Sequence, residues 1–473
     1  MNFQNLILMQ HELLLTLAAL VILCVEIFSP ANNKRMVVPL AVFSMVLIAA
    51  AGFLFPTTGK AFGDMYQTDS LRGAMKAVLD IATLIVFLQS YGWVIKEENR
   101  NKISEFFIII FSSLIGMNFM ISSGDFLMLY MGLELATIPV AALAAFDRYK
   151  VKSAEAGIKL ILSSALSTAI LLYGLSMIYA TTGSIYFDEV RAAFKPDALS
   201  VLGMIFFITG MGFKMSLVPF HLWTADVYEG APIAVTSYLS VVSKGAAAFI
   251  FTFVLYTVFP VASEIWLQVL VVLSIVTMTI GNLFAMRQGN MKRFLAFSSI
   301  AQAGFLLLGI LGQGALGMGT IIFFLLVYVF TNLAAFSVVA AIYDKTGKED
   351  MKDYNGLYKT NPNLSLILML ALFSLAGIPP VAGFFGKLFL FNSMASKGYY
   401  IVLFIALINA TISLYYYLLP IRAMFIEKND NPIEHFKSNI YMKIGLAISV
   451  IGIIVTGIYS GIFEYLISVS AGL

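Results

Sequence analysis

The chain has 473 residues, 60% of them hydrophobic and 12% charged, and a mean hydropathy of +0.91, whereas soluble domains carry about a quarter charged residues. That composition excludes a soluble globular protein and predicts an all-α polytopic membrane protein in a lipid bilayer, with no nucleic-acid partner. The single cysteine, Cys24, excludes an internal disulfide and leaves no cluster to hold zinc or iron-sulfur.

Apolar stretches long enough to cross roughly 30 Å of hydrocarbon, about 20 residues each, fall near 12–29, 36–56, 74–95, 105–122, 125–146, 154–181, 198–220, 232–259, 264–285, 293–311, 316–343, 363–391, 399–426 and 440–468. About fourteen transmembrane helices are therefore expected. The first has no Lys or Arg before it and no small-residue cleavage pattern after it, so it reads as a retained helix and not a signal peptide. His11, His221 and His435 are too far apart to suggest a helix-paired metal or haem site. Gly312, Gly314 and Gly317 form a GxGxxG pattern between two apolar helices. With no strand before it, this reads as a tight membrane loop and not a nucleotide cradle.

Loops that stay in the cytoplasm retain Lys and Arg. Odd-numbered loops and their edges hold seventeen basic residues and even-numbered loops hold five. Odd loops are thus expected inside and both termini outside. Lys76, Arg422 and Lys443 flank helix ends, where they can snorkel, and Glu26 and Asp80 read as interfacial or structural. Lys159, Lys214, Lys244 and Lys387 remain inside predicted helices, as does one acid, Glu134, in MLYMGLELATIPV.

A lysine at the bilayer centre costs about 2.5–3.5 kcal/mol on insertion scales, which makes an intramembrane ionisable residue a functional candidate by default. The alternative is that some of the four lie nearer helix ends or form structural ion pairs. In GFKMSLVPFHLWTADVYEGAP, Pro219 clashes with the carbonyl four residues earlier, that of Met215, so the helix should break directly after Lys214. Irregular backbone at that depth is tolerated only beside protein or a water-filled cavity, which suits a lysine that carries protons. His221 lies seven residues on, on roughly the same face if the helix resumes at once, as a relay or as a satisfied core histidine.

A second interruption, AGIPPVAGFFGKLFLF, puts Pro379 and Pro380 before Lys387. The breaks fall in the seventh and twelfth helices. Five helices apart means opposite orientation, and paired broken helices in inverted repeats point to an ion site near the midplane. The expected organisation is three N-terminal helices (1–100), a five-helix repeat (105–260), an inverted five-helix repeat (263–426) and a C-terminal helix (440–468). Two charges about 4 Å apart at an effective dielectric near 20 interact by about 4 kcal/mol, so a neighbouring carboxylate can decide whether a buried lysine keeps its proton. Glu134 and Lys159 are suitable partners if the fifth and sixth helices pack together.

With those residues placed, the chain resembles the antiporter-like membrane subunits of respiratory complex I, most of all the subunit N type, from about Met117 to Phe425. FKMSLVPFHLWTADVYEGAP and AGIPPVAGFFGKLFLF carry the likeness. The resemblance implies that Glu134, Lys159, Lys214, Lys244 and Lys387 form a hydrated mid-membrane path, along which protons move when quinone is reduced in neighbouring subunits. It also implies other membrane and peripheral subunits as partners, with NADH, flavin, iron-sulfur clusters and quinone on those partners and none on this chain. A bacterial inner membrane is the implied location. An Mrp-type cation/proton antiporter subunit and a non-conducting membrane scaffold are the alternatives.

Overall fold

A chain immersed in lipid must satisfy its backbone N–H and C=O groups internally, and a helix does so within one segment. The computed structural model, which describes residues 3–28 and 31–472, is accordingly helical apart from a small hairpin. Among the described residues, eleven helices are long and apolar enough to cross a membrane.

Three helices are buried on all sides, Ile233–Thr257, Met291–Leu311 and Gly314–Thr346. A helix apolar around its whole circumference belongs in an interior, and the less buried spans surround this trio. Helices meet closely where side chains vanish. A Cβ on Gly116 would lie 2.4 Å from the Ala136 backbone nitrogen, and one on Gly132 would lie 2.5 Å from that of Met120, so Ile103–Ile121 and Phe126–Ala144 pack backbone to backbone.

Three expected segments are interrupted. The stretch 198–220 is the helix Ala198–Lys214, a break, and then the helix Leu222–Gly230. The stretch 363–391 is Pro362–Ala376 and Ala382–Ala395. Each break contains a cis X–Pro bond, Val218–Pro219 and Pro379–Pro380. The last segment, expected as one helix over 440–468, is two, Ile440–Ile458 and Gly461–Ser470. Tyr459 adopts extended dihedrals between them, beside the close packing of Gly457 on the Ala382 backbone, 3.0 Å from a Cβ position. The Gly312–Gly317 motif is a tight turn: Met291–Leu311 ends and Gly314–Thr346 begins across Gln313 and Gly314, both at positive φ.

Element order recurs along the chain. A closely packed helix pair is followed by a very long helix, a broken helix and another long span. The long helices are Val151–Thr182, with 32 residues, and Gly314–Thr346, with 33. At 1.5 Å per residue each extends to roughly 48 Å, well beyond the hydrocarbon thickness.

The N-terminal region departs from expectation. Gly59–Ala61 and Tyr66–Thr68 pair as an antiparallel hairpin, Gly59 opposite Thr68. Lys76 does not snorkel, being buried six residues into Ser70–Val94 and ion-paired with Glu12 at 2.5 Å. Asp80, ten residues into the same helix, is fully buried and not interfacial. Spacing along one helix cannot reveal an opposite charge on another.

Candidate functional site

Lys214 is the last residue of its helix half. Beyond it the chain takes a tight path in which Leu217 N–H donates to the Gly212 carbonyl at 2.8 Å, and Ser216 sits at positive φ. Neighbouring protein satisfies the irregular backbone. The Trp223 indole donates to the Phe213 carbonyl at 3.3 Å, and Val218 N–H donates to Thr277 Oγ1 at 3.1 Å. The latter ties this break to a helix in the other half of the chain, Ser263–Ala285.

The buried Lys214 ammonium donates to Thr137 Oγ1 at 2.6 Å. Thr137 lies one turn after Glu134 on Phe126–Ala144, the spacing that puts two side chains on one helix face. Glu134 is half-buried and its Oε1 has no hydrogen-bond partner within the chain. Glu134 thus stands one helical turn from the hydroxyl that holds Lys214, whereas the ion-pair partners of Lys159 are Glu155 and Asp226.

Lys159 lies apart from the row. Its side chain is 41% exposed and pairs with Glu155 and Asp226, each at 2.6 Å. Arg293 joins this network through Asp226 at 2.9 Å and Glu229 at 2.7 Å. Lys159 is the ninth residue of the 32-residue helix Val151–Thr182, nearer its start than its middle. His221 is buried, but the helix resumes only at Leu222, so the seven-residue spacing does not align it with Lys214. It lies inside the break, its Nδ1 without a hydrogen-bond partner.

Lys244 opens the helix Lys244–Thr257, directly after a π-helical turn at Leu239–Ser243, a widening frequent at functional sites. Its ammonium donates to Ser299 Oγ at 3.0 Å and faces the Tyr228 ring at 5.9 Å. Lys387, in the second half of its broken helix, donates to the Ala376 carbonyl at 3.0 Å and lies 4.7 Å from the Phe305 ring centroid. Ala376 ends the first half, where free carbonyls and the helix dipole favour a cation.

A small cavity lies beside each of these lysines. Each is about 10 Å³, near the room that one water needs. The first touches Thr137, Lys214 and Ser243; the second Lys244, Ser299, Gln302 and Tyr328; the third Gln302, Tyr328, Ser374 and Lys387. Gln302 and Tyr328 thus bridge Lys244 and Lys387, and Gln302 also donates to the Tyr417 hydroxyl at 3.0 Å. Sequence reasoning missed both. The signal for Gln302 was there, in Ser298, Ser299 and Gln302 at helical spacing in an otherwise apolar span. Among the described residues no group of His, Cys, Asp or Glu could hold a metal ion.

Residues 123–413 match the family described as NADH:quinone oxidoreductase/Mrp antiporter, TM. The chain belongs to the NADH:quinone oxidoreductase/Mrp antiporter family. It is 48% identical to the NADH-quinone oxidoreductase subunit N of Phocaeicola vulgatus across 97% of both chains. A chain of Thermus thermophilus respiratory complex I with bound aureothin superposes with a TM-score of 0.82, at 28% identity, over 96% of this chain and 99% of that one. A chain of the Mrp complex from Dietzia sp. DQ12-45-1b shares the fold, with a TM-score of 0.84 at 20% identity over 100% and 98% of the two chains. The region matched to the NADH:quinone oxidoreductase/Mrp antiporter family contains Glu134, Lys159, Lys214, Lys244 and Lys387. It leaves out the first four long helices, Gln10–Phe28, Val37–Leu54, Ser70–Val94 and Ile103–Ile121, and the helices after Phe425.

Proposed function

We propose that this chain is the proton-translocating subunit N of a complex I, a bacterial NADH:quinone oxidoreductase, and that Glu134, Lys214, Lys244 and Lys387 carry protons along its midplane. The observation that carries this reading is the set of three buried lysines, each beside a water-sized cavity, with Gln302 and Tyr328 common to the walls of the cavities at Lys244 and Lys387. Buried ammonium groups are expensive in a membrane, and a row of them in reach of hydroxyl and amide relays is suited to passing protons. Glu134 supplies the charge that sets whether Lys214 holds its proton. His221 is a side relay at the first break, and Lys159, with Asp226, collects protons at the inner rim.

The architecture that goes with this role is fourteen crossings, with three helices in 1–100, inverted five-helix repeats at 105–260 and 263–426, and a C-terminal segment at 440–468. Its support is the recurring order of helix pair, long helix, broken helix and span, with the breaks five helices apart. The loop charges favour cytoplasmic odd loops and outward termini in an inner membrane. NADH, flavin, iron-sulfur clusters and quinone belong to partner subunits, whose redox chemistry drives the row.

The test is Lys214→Ala in the assembled complex, with proton uptake into vesicles measured against quinone reduction. Losing a proton-transfer group costs about a hundredfold or more in enzymes, so the expected pumping rate is at least about tenfold lower at equal subunit abundance. Wild-type pumping would reject the assignment, and sodium-stimulated transport would favour a cation antiporter.

A further inference from the structure

The N-terminal helices, outside the family match, hold a second group of buried ionisable side chains. Glu12 and Lys76 pair at 2.5 Å. The Tyr66 hydroxyl donates to Glu12 Oε2 at 2.9 Å and accepts from Lys76 at 3.2 Å. His11 Nε2 stands 3.1 Å from Asp80 Oδ2, at an angle outside hydrogen-bond geometry. The charges facing His11 are Asp80 and Lys76 from Ser70–Val94 and Glu12 from its own helix. Arg72 is engaged with Asp69 nearby.

Two observations give this cluster direction. On one side it adjoins an open, mostly apolar groove of about 700 Å³, whose polar residues include His11, Lys76 and, between the second and third long helices, Thr57, Thr68 and Asp69. That connection lies on the outer side in the orientation proposed above. On the other side the cluster stands level with the central row. A Cβ on Gly245, next to Lys244, would meet Met75 at 3.4 Å and Leu79 at 3.6 Å, the residues that immediately precede Lys76 and Asp80. Tyr238 lies just before the π-helical turn leading to Lys244, and its hydroxyl donates to the Ile110 carbonyl at 3.5 Å. Met117 touches that hydroxyl at 3.9 Å, and its neighbour Asn118 is buried with both amide atoms unpartnered, the kind of group that holds internal water.

We propose that His11, Glu12, Tyr66, Lys76 and Asp80 form a lateral proton-holding branch, which exchanges with the Lys244 end of the central row through Tyr238 and Asn118 and with the outer side through the polar end of the groove. The inference rests on the proton-path reading above. In it a proton held between His11 and Asp80 leaves along the polar residues Thr57, Thr68 and Asp69 at the groove's outer end and is replaced from the row, so no charge is created or lost beyond the proton that moves.

The competing account is a pair of structural ion bridges, and the physics of buried pairs separates the two. Removing one partner strands a buried charge, whereas replacing both with apolar side chains of similar volume is often neutral or stabilising. The experiment is therefore the double variant His11→Phe with Asp80→Leu, in the whole complex in vesicles, with protons pumped per quinone reduced as readout. The expected result is normal assembly and quinone reduction with a several-fold lower proton yield. Tyr66→Phe, which deletes one hydroxyl, is expected to lower the yield in the same direction and decides the matter if the double variant does not assemble. A wild-type proton yield in either assembled variant overturns the branch. Lys244→Ala in the same preparation keeps the two readings distinct: if it alone loses pumping, the row stands and the branch falls; if it pumps normally, the row itself is wrong.

Discussion

The two broken helices solve one problem in different ways. At the first, the lysine precedes its break and donates to a side-chain hydroxyl, Thr137, one helical turn from a carboxylate, Glu134. At the second, the lysine follows its break and is held by a main-chain carbonyl at the end of the opposing helix half, beside an aromatic ring. A carboxylate can be neutralised or moved, whereas a helix end is fixed. In the proposed proton path the first break would therefore be the one able to change its grip on a proton, and the second the one that offers a constant grip.

The sharpest way to break that contrast is a pair of double-mutant cycles on pumping rate. Glu134→Gln is expected to cost most of the pumping, while Glu134→Asp keeps much of it. Combined with Lys214→Ala, its loss should be far smaller than multiplicative, because both residues serve one step. Combined with Lys387→Ala it should come closer to multiplicative, and equal coupling to both lysines would erase the distinction drawn here.

An intermediate effect is expected at the glycines. Gly377 has φ of +87°, and a Cβ there would lie 3.0 Å from Lys387 Cδ. Gly377→Ala combines a left-handed penalty of about 1–2 kcal/mol with displacement of the lysine, so thermal stability and pumping should both fall. Gly212, at the first break, has no positive φ, and a Cβ there would meet side chains alone, the Phe220 ring at 3.2 Å and Leu217 Cδ1 at 3.6 Å. Gly212→Ala should be the milder of the two in melting and pumping assays, and the reverse order would show that the second break is the more adaptable.

The smallest effect is expected from Lys159→Ala. Exposed ion pairs contribute little, and Asp226 keeps its contact with Arg293. Pumping should stay within about twofold of wild type. A loss as deep as that of Lys214→Ala would return Lys159 to the centre of the path.

Much of this was legible in the sequence, for reasons that particular residues make plain. Lysines 214, 244 and 387 stood out because charge inside an apolar run has no cheap explanation, and Pro219 located the first break through its missing N–H and its clash one turn back. Lys159 was read as lying inside an apolar run, but its partners Glu155 and Asp226 could not be seen there, because hydropathy does not register which acids a fold brings alongside. The cluster around Lys76 was hidden for the same reason. Near a helix start it read as a snorkelling group, and its partner Glu12 is 64 residues away in the chain. Gln302 and Tyr328 are neutral, so a search by charge passed over them.

The burial of the central trio has a consequence for how the protein is made. Of the eleven apolar spans among the described residues, Ile233–Thr257 is the least apolar, and it is also enclosed on all sides. Lys244 sits near its middle, bonded to Ser299 of Met291–Leu311, a helix synthesised later. When Ile233–Thr257 emerges, its ammonium has no such partner, and on insertion scales that deficit is about 2.5–3.5 kcal/mol. The span therefore depends on segments translated after it, and the residue placed to hold a proton in the finished complex also sets the order in which the membrane domain can close.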